Sequence, residues 1–376
     1  MLSCQSELFS LPDDCHYLNC ASRSPLLRAS EAAAIKGLLA QRVPMPSTPE
    51  EYFAQPDQLR AVFAQLIGCD AARVAITPSV SYGVAIAAHN LKLDSTQQIV
   101  VVDEEFPSDV YAWIEACKES GARLTRVARA GSESAWTERL LETIDTSTAL
   151  VSLSSVHWTD GSCFDVQAVA DRCREVGALF VLDGTQSIGA LPFDYEQVRP
   201  DLLVVASYKW LFGPYQLGLA VVGDRLLDGR PFENHWSTRA GSEDTSNTSY
   251  QPNYRPGARR FDVGEFNNTI SIPILLEGIA QVSRWTPVAI QEYCANLATR
   301  LENLDSKRYT VPTTADSCAH ILGIRLRDPN SIGAVISDLN AHKIQVSKRG
   351  EVLRVSPNVY NTTDDIDALT NVLNSR

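Results

Sequence analysis

Short apolar runs recur along the chain, each closed by small or polar residues. Val74–Thr77, Ile99–Val102, Leu124–Val127, Ala149–Leu153, Leu179–Leu182, Leu202–Ala206 and Leu217–Val222 are the clearest. All seven read as strands, and Leu179–Leu182 and Leu202–Ala206, short and rich in Leu and Val, read as strands buried on both faces of a parallel sheet. Between them, residues 29–41, 108–119, 135–144 and 165–176 read as helices, and another helix runs from about Gly83 to Leu91. Strand and helix alternating in this way predict an α/β fold with a mostly parallel sheet covered by helices on both sides. His16–Asn19 predicts a strand or turn. Ser47–Tyr52 predicts a Pro-bounded loop with a capping residue before Glu50 and Glu51. Residues 229–262 form a polar loop long enough to suggest a functional role. From Ile270 to about Leu304 the pattern is helical with a break at Pro287. Ala319–Leu326 and Lys343–Ser347 then read as strands, and 330–341 and Asp364–Asn374 as helices.

Composition narrows the function classes. The 376 residues carry a net charge of -12 and show no basic stripe, which argues against nucleic-acid and acidic-membrane partners. No stretch approaches the roughly 18 apolar residues of a membrane span. Residues 1–20 lack a basic start followed by an apolar core, so no signal peptide is expected. Nine cysteines are scattered without a CxxC pair or zinc-finger spacing. They read as reduced thiols of a cytoplasmic protein with no metal centre.

Candidate chemistry lies at the ends of the apolar runs. Asp183 closes one run and Lys209 follows another closely. Ligands of open α/β sheets bind outside the carboxyl ends of the strands, so the two side chains should face one crevice. A structural ion pair is the plainer reading of such a pair. Pro78–Gly83 places small hydroxyl residues at a strand-to-helix turn, where free backbone N–H groups and an N-cap favour an anion, or serve only as a cap. Arg354 carries a guanidinium fork that matches a carboxylate with two parallel hydrogen bonds.

The order strand–Asp183–x–x–Gln186, then strand–Ser207–x–Lys209, resembles the class V aminotransferase group of pyridoxal-phosphate enzymes, fold type I. Five further segments match in the same order: Tyr17-Leu18-Asn19-Cys20-Ala21-Ser22, Ser79–Gly83, Glu105–Ser108, Phe261–Thr269 and Arg354–Thr362. The resemblance implies a Schiff base between the cofactor aldehyde and Lys209, whose amine must be left free of its proton to react. It pairs Asp183 with the pyridinium nitrogen, sets Gln186 at the ring oxygen, and stacks Phe106 on the ring. It places the phosphate against Ser79, Val80, Ser81, Ser207 and Tyr208, although relatives carry His where Tyr208 stands. Asn268 and Thr269 would reach the phosphate of a partner in a homodimer with a shared active site. Arg354 would bind the α-carboxylate of a small amino-acid substrate, and Asn19 would line its pocket. His157 stands where relatives have Asn or Gln, and three readings stay open: a contact to the ring oxygen or substrate, proton transfer, or a core histidine.

The implied organisation is an N-terminal segment, 1–20, joining a small C-terminal α+β domain, 270–376, with a large cofactor-binding domain, 21–269, between them. Transamination, racemisation and β-elimination all begin by moving the Cα proton, so the reaction is left as aminotransferase or C–S lyase-like chemistry. The Glu105-Phe106-Pro107-Ser108 segment resembles the isopenicillin N epimerase-like branch, which makes an amino-acid epimerase an alternative. A non-catalytic cofactor-binding homologue is another. Cysteine desulfurases need a cysteine on a loop shortly before the carboxylate-binding arginine, and Lys343–Arg354 has none.

Overall fold

The computed structural model describes residues 2–43, 48–311 and 317–376. The elements of the larger part are, in order, β1 (His16–Tyr17), α1 (Arg28–Ala40), α2 (Pro49–Ile67), β2 (Val74–Thr77), α3 (Val80–Asn90), β3 (Gln98–Val102), α4 (Tyr111–Ser120), β4 (Arg123–Val127), α5 (Glu133–Thr143), β5 (Thr148–Ser154), α6 (Val166–Val176), β6 (Leu179–Asp183), α7 (Tyr195–Val198), β7 (Leu202–Ala206), β8 (Gly218–Val222) and α8 (Asp224–Leu227). After the polar loop come α9 (Ser271–Trp285), α10 (Pro287–Ala298), β9 (Tyr309–Thr310), β10 (Leu322–Leu326), α11 (Ile332–Ala341), β11 (Ile344–Gln345), β12 (Ser347–Arg349), β13 (Val352–Val355) and α12 (Thr363–Asn374).

The main sheet has seven strands in the order β2-β8-β7-β6-β5-β3-β4. The β7–β6–β5–β3–β4 ladder is parallel throughout, and β8 runs antiparallel to both β2 and β7. Strands β2, β3, β6, β7 and β8 are buried at every position, as their unbroken apolar runs require. One apolar layer packs Phe63, Ile67, Leu140, Val169 and Leu275 against one face of the sheet. On the other, Val84, Trp113 and Val204 form a second layer. Gly83 allows that layer to close: a Cβ there would stand 2.6 Å from Val204 Cγ1.

A four-stranded antiparallel sheet, β12-β13-β10-β9, carries the second core with Leu297, Ile324, Leu339, Leu353 and Ile366. The N-terminal segment pairs here: β1 runs parallel to β11, and Leu18 packs into this core. A further apolar cluster, including Phe9, Trp210, Phe212, Trp285, Ile321 and Tyr360, bridges the two parts.

Two expectations shift. Ser47 lies outside the described residues, but 48–52 is not loop: Thr48 caps α2, with its side chain accepting from Glu51 N–H while Glu51 returns a bond to Thr48 N–H. The expected capping residue before Glu50 and Glu51 is present as part of a capping box, and the 19-residue helix behind it carries Pro56 in its interior. The boundary at residue 270 also moves. Ile272, Leu275 and Ile279 of α9 pack into the layer under the main sheet, so we place the start of the small domain at the Thr286 break instead. Helical spacing marked the segment but not which sheet its apolar face would choose.

Candidate active site

The carboxyl ends of β6 and β7 converge on a cavity of about 230 Å³, lined by Ser79, Phe106, Trp158, Asp183, Gln186 and Lys209 among others. A larger hollow of about 830 Å³ lies within the loop between Asn234 and Pro252, but its lining has no buried charged side chain. One bond closes the turn after β6 and a second ties it to the end of β7. Thr185 N–H donates to Asp183 Oδ1 at 2.7 Å, and Ala206 N–H donates to Thr185 Oγ1 at 2.9 Å. Asp183 is therefore held at the strand edge by the backbone that follows it.

Lys209 is 8 % exposed. Burial pushes its ammonium down from 10.5 to about 8, although Asp183 pulls the other way, and the nearby Arg354 adds to the lowering. Its Nζ lies 5.7 Å from the ring centroids of both Phe106 and Tyr208. Tyr208 stacks on Tyr215 with centroids 4.2 Å apart, and the Arg23 guanidinium caps Tyr215 at 3.9 Å. Phe106 meets Trp158 edge to face at 5.6 Å.

At one wall the N-terminus of α3 opens into the cavity. Ser79 is its N-cap and accepts from Tyr82 N–H at 3.2 Å, while Ser79 and Ser81 hydroxyls are 2.9 Å apart. The first-turn N–H groups at Val80 and Ser81 have no acceptor within the helix by geometry, and both residues line the cavity.

A cationic cluster borders the same region. Arg354, on β13, is 1 % exposed and donates to Trp158 O at 2.6 Å and Ser22 Oγ at 2.7 Å. Its Nε is buried without a partner, and among the described residues no carboxylate pairs with it. Burial, with Arg349 beside it, pushes its guanidinium down to about 9. Arg349, on β12, also donates to Ser22 Oγ, at 3.1 Å, and lies 5.5 Å over the Trp158 ring. Ser347 links this group to Asn19, donating to Asn19 Oδ1 at 2.6 Å and lying 3.0 Å from Ser22 Oγ. Asn19 thus supports the arginines at one remove and does not line the cavity.

Several candidates are corrected. His157 is fully buried, with Nδ1 2.7 Å from Thr159 Oγ1 and its ring 5.2 Å from Trp136. Burial drives it down to about 4, so it is neutral at ordinary pH. It does not line the cavity; its neighbour Trp158 does. Both residues stand beyond the end of β5, where the chain buries the His157 ring against Trp136 and carries Trp158 to the cavity wall. Ser207 is also removed from the phosphate set. Its hydroxyl donates to Pro214 O and Leu217 O, and Gly213 packs so closely that a Cβ there would lie 2.4 Å from Ser207 Oγ. Asn268 Oδ1 caps α9 by accepting from Ile270 and Ser271 N–H, and Thr269 Oγ1 accepts from Gln41 Nε2. Neither lines the cavity of its own chain, so the expectation for them rests on a second copy. Gln186 does line it, but its amide is shared, with Nε2 donating to Ala21 O and Oε1 accepting from Trp210 Nε1.

Arg349 joins the site, with Ser22 of the Tyr17–Ser22 landmark beside it and Trp158 on the cavity wall. Arg349 stands five residues before Arg354, and an antiparallel pair of strands returns it alongside.

A buried lysine and an acid at adjacent strand ends, beside a serine-capped helix N-terminus, define the architecture of the fold type I pyridoxal-phosphate enzymes. The chain belongs to the class V aminotransferase family, a family of such enzymes, whose model, described as Aminotransferase class-V, matches residues 44–369. It is 25 % identical over 324 residues to the uncharacterized aminotransferase YcbU of Bacillus subtilis, covering 84 % of this chain and 82 % of the relative. It is 24 % identical over 375 residues to isopenicillin N epimerase of Streptomyces clavuligerus, covering 95 % and 94 %. Among solved structures, the complex of the cystine C–S lyase C-DES with cysteine persulfide shares the fold with a TM-score of 0.86 at 19 % identity, covering 96 % of this chain and 97 % of that one. Among the described residues no helix is long and apolar enough to cross a membrane.

Proposed function

We propose that this chain is a pyridoxal-phosphate-dependent enzyme that removes the Cα proton of a small amino acid and carries out amino transfer or loss of a β-substituent. The observation that carries the reading is Lys209, buried with a lowered proton affinity, facing the cavity it shares with Asp183. The residues suit the cofactor. A carboxylate at a strand edge fits a ring nitrogen, Phe106 offers a face for stacking, and the first-turn N–H groups of α3 suit a phosphate. The buried, uncompensated Arg354 calls for an anion.

Bound there, pyridoxal phosphate supplies an aldehyde that condenses with amines and a ring that withdraws electrons from Cα. Asp183 keeps the ring nitrogen protonated, which strengthens that withdrawal. Arg354, with Arg349 beside it, would hold the substrate carboxylate and so orient Cα for loss of its proton. Lys209, with a pKa near neutrality, takes the Cα proton at Nζ as general base. Phe106, 5.7 Å from that atom, and Trp158 packed edge to face on it give this part of the cavity an aromatic wall. No cysteine lines the cavity among the described residues, and burial raises the nearby Cys20 thiol to about 12. That disfavours desulfuration through a protein persulfide.

Visible absorbance of the purified protein with pooled amino acids, and no keto acid, tests the reading. Conversion to an amine form of the cofactor marks amino transfer. A persisting band, with ammonia and keto acid released, marks elimination. Failure to form any cofactor band sinks the proposal. Likeness over nearly the full length to an epimerase supports a second reading, and appearance of the opposite enantiomer selects it.

A further inference from the structure

Three carboxyl groups are buried around one buried cation. Glu105 is satisfied as a carboxylate, since it accepts from Ser154 N–H at 2.9 Å, Ser154 Oγ–H at 2.7 Å and Phe106 N–H at 2.7 Å. Asp183 accepts from Thr185 N–H. Asp109 ends the short turn Pro107–Asp109, is 1 % exposed, and has neither carboxyl oxygen hydrogen-bonded to any donor among the described residues. Its backbone is fixed beside the site, because its carbonyl accepts from Ser152 Oγ at 3.4 Å and Ser152 is in register with Val181, two residues before Asp183. The charged group that weighs most on this unpartnered carboxyl is Asp183, at the end of the neighbouring strand β6.

Two carboxylates cannot hydrogen-bond to one another, and a buried acceptor left without a donor costs about 1–3 kcal/mol. One proton between the two removes both problems. Asp183 has a backbone donor and a role as an anion; Asp109 has neither. We propose that Asp109 is a positioning residue, held as a neutral carboxylic acid that donates a hydrogen bond to Asp183 and aims its carboxylate at the cofactor ring. The role of Asp183 rests on the reading above, but the proton between the two acids does not.

Burial, then Asp183 and Glu105, all raise the affinity of Asp109 for its proton, and Lys209 opposes them. Those three are the charged groups that face it. With the folded value raised above the unfolded one, the contribution of Asp109 to stability is complete in acid and is lost as pH rises through the folded value.

Infrared difference spectra of the cofactor-free protein test this directly. At neutral pH the wild type should show a protonated-carboxyl stretch that is absent from Asp109→Asn and retained in Glu105→Gln. Asp109→Ala should weaken retention of pyridoxal phosphate roughly 10- to 100-fold, the worth of one charge-assisted hydrogen bond. Asp109→Asn, which still donates, should recover most of that and flatten the alkaline loss of stability. Absence of the stretch, or an Asn variant as impaired as Ala, overturns the proposal. A wild type that takes up no cofactor sinks the earlier reading alone, since the infrared band still decides this one.

Discussion

Arg60 and Arg354 are equally buried, each 1 % exposed, yet their replacement should have opposite consequences. Arg60 has its counter-ion built in. Its Nη2 is 2.5 Å from Asp262, itself buried, and its Nε donates to Val74 O. Arg60→Met strands that carboxylate and should cost about 3–5 kcal/mol. Arg354 has no counter-ion. Its guanidinium is pushed from 12.5 to about 9, which at 1.36 kcal/mol per pH unit is a burial cost on the order of 5 kcal/mol. Its two hydrogen bonds, worth about 1.5–3 kcal/mol each with a charged donor, roughly offset that cost. Arg354→Met should therefore leave the stability of the cofactor-free protein within about 2 kcal/mol of wild type while abolishing capture of α-amino acids. Arg354→Lys, which loses one bond of the fork, should weaken substrate affinity by roughly 10- to 150-fold. Guanidinium unfolding of the three variants and substrate-induced spectral titration supply the measurements. Equal destabilisation by the two Met variants would falsify the reasoning, because Arg354 would then be stabilised by the protein alone and would need no anion.

Lys209→Ala should fold normally but lose turnover and the lysine-bound cofactor band; an unchanged spectrum removes the assignment. In wild type the rate of cofactor uptake should climb with pH and level off above about 8, as Lys209 loses its proton, measured by stopped-flow absorbance. Ser207→Ala should lower stability by about 1 kcal/mol through the lost bonds to Pro214 and Leu217 carbonyls, with retention of pyridoxal phosphate unchanged on dialysis. His157 and His320 are both driven down to about 4 by burial. The unfolded chain therefore binds more protons than the folded one between about 4 and 6.5. Stability should fall on acidification through that window. Unfolding midpoints of His157→Phe should show a shallower fall, with kcat near that of wild type.

The strand pattern and the family landmarks made the main sheet legible, because both-face burial leaves an unbroken apolar signature. Asp183 and Lys209 were legible for the same reason: a strand end is visible in sequence, and strand ends of a parallel sheet lie side by side. The α3 cap was visible in its serines. Ser207 was misread because a hydroxyl beside a lysine suggests the cofactor, whereas the fold spends it on two carbonyls and a glycine contact. Of the readings left open for His157, the core histidine is the one its burial supports, because the segment beyond β5 turns its ring inward and Trp158 toward the cavity.

By itself the sequence determined the α/β class and which acidic, basic and hydroxyl side chains stand at the strand ends. Those are local properties, set by hydrophobic period and side-chain functional groups. Only the tertiary structure decided the rest. It packed α9 under the main sheet, set Arg349 beside Arg354 across an antiparallel pair, and buried the Asp109 carboxyl without a donor. Each of those depends on distances between segments remote in the chain, and burial there changes what a carboxyl or a guanidinium does. A buried Arg without a counter-ion and a buried Asp without a donor are charges whose meaning comes from what surrounds them, and no spacing along the chain records that.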